Sequence, residues 1–130
     1  MRTFLLLVLA CVVVTESRVD DVKTLLLQES IESVNIILKS NSKEIFEQFV
    51  KDVFKIHACS EESLCRAAEA LKHAYRNTEL YMLRRRLYSY AVYTGLQNCT
   101  VPNADESSMD KLLNDLKHCC QKLLRQKKHR

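Results

Sequence analysis

The chain has 130 residues, 47% of them hydrophobic, with 20 Lys and Arg against 16 Asp and Glu for a net charge of +4. That length makes one domain with a modest core, and so mild a charge gives no basis for nucleic-acid binding, although it suits solubility and weak attraction to anionic glycans. One glycine and one proline leave almost no turn chemistry for a β-protein, which makes the fold class all-α.

Residues 1–17 read as a signal peptide. Arg2 is the positive start, Phe4 to Val14 the apolar stretch, and Thr15-Glu16-Ser17 puts small residues where a signal peptidase reads them. The apolar run is too short to span a bilayer, and no later segment is long or apolar enough, so membrane insertion is not expected. The mature domain is then 18–130, secreted and extracellular. Cys11 leaves with the leader, and five cysteines remain for an oxidising compartment.

A first helix starts at Asp20 or Asp21 and runs to about Leu38, with Leu27, Ile31, Val34 and Leu38 on one face. Ser40-Asn41-Ser42 ends it. Residues 43–58 fit two patterns: Ile45, Phe46, Phe49, Val50, Val53 and Phe54 have helical spacing, while Phe49 to Ile56 also reads as a short strand. Ser60 caps a second helix, with Glu61 and Glu62 at the positive end of its dipole, and its stripe is Leu64, Ala67, Ala68, Leu71, Ala74 and Tyr75. Asn77-Thr78 breaks the pattern and Thr78 caps a third helix. Leu80, Leu83, Leu87, Ala91 and Thr94 form its inner face, and Gly95 is a natural left-handed terminator. Cys99 to Ala104 is loop. A fourth helix starts near Asp105–Ser108, with Met109, Leu112, Leu113, Leu116, Cys119, Cys120 and Leu123 on its apolar face.

Loop lengths fix a topology. The second and third helices are joined by two or three residues, so they are antiparallel neighbours. The other two connections are long: an extended segment of ten residues reaches about 33 Å, against about 27 Å for an 18-residue helix. Both can cross the whole bundle, giving an up-up-down-down four-helix bundle. In it Cys65, near the start of the second helix, and Cys99, just past the third, lie at the same end and can pair. Cys59 lies at that end too and pairs with Cys119 or Cys120, which are adjacent in a helix and cannot pair with each other. One thiol is left over, packed as a small core hydrophobe or used for an intermolecular disulfide.

Two exposed strips qualify as binding surfaces. On the first helix Leu25, Glu29 and Ile36 lie opposite the core stripe, a carboxylate flanked by apolar residues. On the third, Tyr81, Arg85, Tyr88 and Val92 follow i, i+4, i+7, i+11 beside the core stripe, in residue types common at interface hot spots. Arg84-Arg85-Arg86 as a run, and the tail Arg125 to Arg130, suit solvated helix faces, and the tail also suits weak glycosaminoglycan binding. Asn98-Cys99-Thr100 is an N-glycosylation sequon. No catalytic set, phosphate loop or metal motif is present: no Cys-x-x-Cys occurs, and His57, His73, His118 and His129 lack ligand spacing. No enzyme activity and no cofactor or metal are expected.

The motifs carry a resemblance. Leu27-Gln28-Glu29, Val50-Lys51-Asp52-Val53-Phe54, Cys65-Arg66-Ala67-Ala68, Gly95-Leu96-Gln97-Asn98-Cys99 and Ser107-Ser108-Met109 through Leu112-Leu113 and Leu116-Lys117 resemble the interleukin-4/interleukin-13 cytokine family in order and spacing. The short connection between the second and third helices is similar to the fish-type interleukin-4/13 members. The resemblance implies a short-chain four-helix cytokine that bridges two type I cytokine receptor chains and signals through receptor-associated kinases in immune responses. It implies that Glu29, Arg84, Arg85 and Tyr88 meet a first chain of interleukin-4 receptor alpha type, and the exposed strips add Leu25 and Tyr81 as water-excluding contacts around them. The family's helix-A glutamate falls on Glu29, and its principal third-helix arginine on Tyr88, a departure that shifts the electrostatic role to Arg85. Ile31, Asn35, Gln121 and Leu124 fall on second-chain contacts, the last two altered. Cys65 and Cys99 match a family disulfide; Cys59, Cys119 and Cys120 match nothing in the interleukin-4 pattern. A family strand falls at Val50–Phe54. The alternative reading, a secreted lipid-binding or membrane-active helical protein, calls for six or eight paired cysteines, which five do not supply.

Overall fold

The computed structural model describes residues 2–56, 58–72, 74, 77–96, 99–101 and 105–128, with side chains described within 20–126, position 56 excepted. The elements in order are α1 (Arg2–Ser40), α2 (Lys43–Phe46), β1 (Phe49–Lys51), α3 (Val53–Ile56), α4 (Glu61–Leu71), α5 (Thr78–Tyr93), β2 (Glu106–Ser108) and α6 (Met109–Lys128). The expected start of the first helix at Asp20 or Asp21 is not observed. The backbone is helical from Arg2 onward, because residues 2–20 hold no glycine or proline to break the helix and are rich in leucine.

α1 packs against α5 and α6, and α4 packs against α5, with a smaller contact to α6. Pairings give the directions. Lys23 stacks over the Tyr90 ring at 5.7 Å while Arg86 reaches Glu29, so α1 and α5 are antiparallel. Lys23 also pairs with Glu61 at 3.8 Å, which sets the first turn of α4 beside the Tyr90 end of α5, so α4 is antiparallel to α5 and parallel to α1. α6 runs from Met109 beside Gln48 to Cys119 beside Cys59, back toward the start of α4. The bundle is up-up-down-down, as loop lengths predict. Its core holds Leu27, Val34 and Ile37 of α1, Leu64 and Ala67 of α4, Leu83, Leu87 and Tyr90 of α5, and Leu112, Leu113 and Leu116 of α6. On α1 the buried line is Leu27, Ser30, Val34 and Ile37, leaving Ile31 and Leu38 at its half-buried edge. Buried Ser30 satisfies its hydroxyl on the Leu26 carbonyl at 2.7 Å. Burial and the Glu61 carboxylate raise the Tyr90 phenol.

The termini of α5 differ in detail from the sequence reading. Asn77, not Thr78, is the N-cap: its side-chain oxygen accepts from the Glu79 and Leu80 amides at 2.9 and 3.4 Å. Ser60 caps α4 as expected, accepting from the Ser63 amide at 3.2 Å. α4 stops at Leu71, short of the predicted break; Ala74 still packs on the core, and Tyr75 lies outside the described residues. Gly95 has φ +82°. The Leu96 amide returns to the Ala91 carbonyl at 2.9 Å and the Gly95 amide to the Val92 carbonyl at 3.1 Å, the 6→1 and 5→2 pattern of a glycine-terminated helix. Leu96 then packs on Cys65, Ala91 and Cys99.

The ambiguous 43–58 segment is neither one helix nor one strand. α2 and α3 are single turns flanking β1, and the strand is Phe49–Lys51 rather than Val50–Phe54 or Phe49–Ile56. Glu106–Ser108 is strand β2 and not the start of the fourth helix. It pairs antiparallel with β1, Val50 opposite Ser107. The Asp52 amide extends the ladder to the Asp105 carbonyl, and the Met109 amide reaches the Gln48 carbonyl, both at 2.9 Å. Asp52 is buried and accepts from Lys111 Nζ at 2.8 Å. That hydrogen bond raises the pKa of the Lys111 ammonium. Lys55 bonds Asp105 on the outside.

Two disulfides staple one end: Cys59–Cys119 and Cys65–Cys99, with Cα separations of 5.4 and 5.8 Å. The choice left open between Cys119 and Cys120 falls to Cys119. Cys120 is the free cysteine among the described residues and is fully buried, and burial pushes its thiol up to about 12. In native protein at neutral pH it resists alkylation and reacts once the chain unfolds, a contrast that non-reducing peptide mapping with iodoacetamide reads. Stability falls as pH rises from about 9 toward 12, because the unfolded chain releases a thiol proton that the native state holds. Converting Cys65 and Cys99 together to Ala costs about 4 kcal/mol in urea unfolding, by loop-closure entropy. Lys111→Met strands the Asp52 carboxylate and lowers stability by about 1–3 kcal/mol in the same measurement.

Candidate interaction faces

The surface is read best from α1, which has two edges. At 100° per residue Leu25, Glu29 and Ile36 fall within about 40° of one another, facing α5. Leu25 is 51% and Ile36 46% exposed. The connection from α1 to α4 packs on α4 and α6, so it does not cover this edge. Glu29 differs from the sequence reading. It is not opposite the core stripe but at the α1–α5 seam, with its carboxylate 3.5 Å from Arg86 Nε and the two side chains 38% and 26% exposed. Arg86 also donates to Ser33 Oγ and, at 3.5 Å, to the Glu29 carbonyl. A guanidinium thus holds the carboxylate from behind while its apolar flanks stay open.

Arg86 was not singled out by the sequence reading, because a run of three arginines does not say which one faces inward. The helical wheel does carry a signal: Arg86 falls about 40–60° from Leu83 and Tyr90, both core residues, whereas Arg85 is 100° further round. The three arginines have separate surroundings. Arg85 is exposed, and Arg84 stacks over the Tyr81 ring at 5.5 Å.

On α5 Tyr81, Arg85, Tyr88 and Val92 form an exposed strip, as their spacing predicts. The strip lies about 100–160° round α5 from Arg86, with half-buried Met82 and Ser89 between. The structure therefore does not put Glu29 and Arg85 in contact; it spreads the Leu25–Glu29 edge and the Tyr81–Tyr88 strip over one broad surface crossing the α1–α5 seam. Tyr93, also exposed, extends it.

The other edge of α1 faces α6. Ile31 is half-buried against the core and Asn35 is half-buried beside it. On α6, Leu124 packs half-buried on the core and Gln121 is half-buried one turn before it. The Ile31–Asn35 line is about 120–160° round α1 from Glu29. Phe49, 70% exposed at the start of β1, belongs to neither surface. The side chains of Lys127 and Lys128, residues 129 and 130 and the Asn98 sequon lie outside the described parts.

A bundle of two parallel and two antiparallel helices, joined by two crossover connections, is the architecture of helical cytokines. The family model for interleukin 4 matches residues 22–125, most of the chain and all four bundle helices. The chain belongs to the interleukin-4 family and is a cytokine of that type, in a signalling rather than an enzymatic family. No curated protein matches it in a whole-sequence comparison.

The Glu29–Arg86 pair joins two helices at a half-exposed site, where coupling is modest. A double-mutant cycle with Glu29→Gln and Arg86→Met gives a coupling of about 0.5–1 kcal/mol in urea unfolding.

Proposed function

We propose that this chain is a secreted immune cytokine that acts by holding two type I receptor chains together. The observation that carries the reading is the pair of separated edges on α1, one shared with α5 and one with α6, which lets two partners engage the same helix without overlap. A first chain of interleukin-4 receptor alpha type meets Leu25, Glu29, Tyr81, Arg84, Arg85 and Tyr88. Complementary charge at Glu29 and Arg85 sets register and encounter rate, while Leu25 and the tyrosines exclude water. A second chain meets Ile31, Asn35, Gln121 and Leu124. The basic tail adds weak attraction to glycosaminoglycans.

Secretion follows from removal of residues 1–17, which leaves a mature helix beginning near Asp20. Among the described residues no helix is long and apolar enough to cross a membrane.

The two edges give separable phenotypes. Against purified receptor ectodomains, Glu29→Lys weakens first-chain binding by tenfold or more, and Tyr88→Ala weakens it through faster dissociation. Gln121→Glu with Leu124→Glu leaves first-chain affinity unchanged and abolishes recruitment of the second chain. Unchanged first-chain affinity for Glu29→Lys removes the central assignment.

A further inference from the structure

The end of the chain carries a charge imbalance that neither receptor edge uses. Positions 116–130 hold Lys117, Lys122, Arg125, Lys127, Lys128 and Arg130 and no Asp or Glu. These are six of the 20 Lys and Arg, so the other 14 face all 16 carboxylates and the rest of the chain carries a charge of −2. A helix C-terminus favours cations only within about its last turn, which does not account for a row beginning two turns earlier.

The row has a defined place. His118, Lys122 and Arg125 fall within about 60° of one another on α6 and span about 10 Å. All three are exposed. They lie on the side of α6 away from α1, with Gln121 about 40° from Arg125 and between this face and Leu124. His118 and Lys122 line a groove of about 380 Å³ with Phe54, beside the Cys59–Cys119 bridge. Lys111 continues the same line, but it is committed to Asp52 at 2.8 Å and to Asp115 at 3.3 Å. Asp115, the carboxylate in the groove, is thereby held at the Lys111 end and away from Arg125.

The chemistry of this face narrows its ligand. The large exposed hydrophobic residues lie on α1, α5 and β1, and none lies on the described part of α6. Phe54 in the groove is half-buried against the core, so the face has no exposed aromatic platform for stacking bases and no exposed apolar side chain to sink into a bilayer. It offers a line of point charges at intervals of about a helical turn, which suits a polyanion with charges repeated along a flexible backbone.

We propose that His118, Lys122 and Arg125, with the groove beside them, form a binding site for a sulfated glycosaminoglycan chain. This rests on the glycan contact of the proposed function and places its centre on the described part of α6. Because the site is turned away from both edges of α1, a bound glycan leaves the Leu25–Tyr88 surface open, while Gln121, next to Arg125 on the helix, lies at the border between the glycan face and the second-chain contacts.

The test uses the full chain and heparin as the probe, with binding followed across a salt series. The variant His118→Gln/Lys122→Gln/Arg125→Gln elutes from heparin at lower salt, and its log–log salt slope falls by about 2. Removing the same nominal charge elsewhere, with Lys39→Gln/Lys43→Gln, leaves elution unchanged, and unsulfated hyaluronan is not retained. Three results overturn the site: elution of the triple variant with the parent chain, an equal fall for the Lys39/Lys43 control, or complete loss of retention on deleting 127–130 alone. First-chain receptor affinity, measured on the same variants, stays constant if the glycan face is separate; a fall in it contradicts the separation. Failure of the receptor reading itself shows as absent ectodomain binding by the parent chain and leaves the heparin comparison intact.

Discussion

The pairing of Phe49–Lys51 with Glu106–Ser108 joins the two segments that must each travel the length of the bundle. Each connection alone would be a long loop with little to order it, and the entropy of closing it opposes the up-up-down-down path. Pairing them lets each satisfy the other's backbone groups. The ladder is continued at both ends, from Asp52 to Asp105 and from Met109 to Gln48. Buried Asp52 then ties the clasp to α6 through Lys111. Because β2 leads directly into Met109, the clasp also sets where α6 starts, and so which of its residues face α1.

At one end of the bundle the covalent staples do related work. The glycine-terminated end of α5 turns the chain so that Leu96 packs on Ala91 and Cys99 reaches Cys65. Cys59, just before α4, reaches Cys119 on α6. Between them the bridges join the start of α4, the end of α5 and the middle of α6. Cys120 is next to a bridged cysteine, yet it points about 100° away round the helix, into the core. Its raised thiol is the electrostatic signature of that apolar setting.

The surface divides by chemistry as well as by position. The α1–α5 side mixes exposed apolar and aromatic residues with Glu29 and the arginines. The α1–α6 side presents half-buried Ile31 and Leu124. The far side of α6 presents cations without exposed apolar residues. α1 and α6 each turn different residues to different neighbours, and the proposed contacts with two receptor chains and a glycan rest on that division.

Much of this was legible in the sequence. The near-absence of glycine and proline, the 3.6-residue periodicity and the loop lengths were enough for the all-α class, the four main helices and the up-up-down-down path, because those depend on local propensity and chain reach. The Cys65–Cys99 bridge followed from that path. Other features needed the packed molecule. Whether 43–58 forms helix or strand depends on a partner strand more than fifty residues away, which no local pattern encodes. The preference of Cys59 for Cys119 over Cys120 depends on the rotation of α6 about its axis. Which arginine of three meets Glu29 depends on how α1 and α5 are turned against each other, and side-chain packing across the seam sets that rotation.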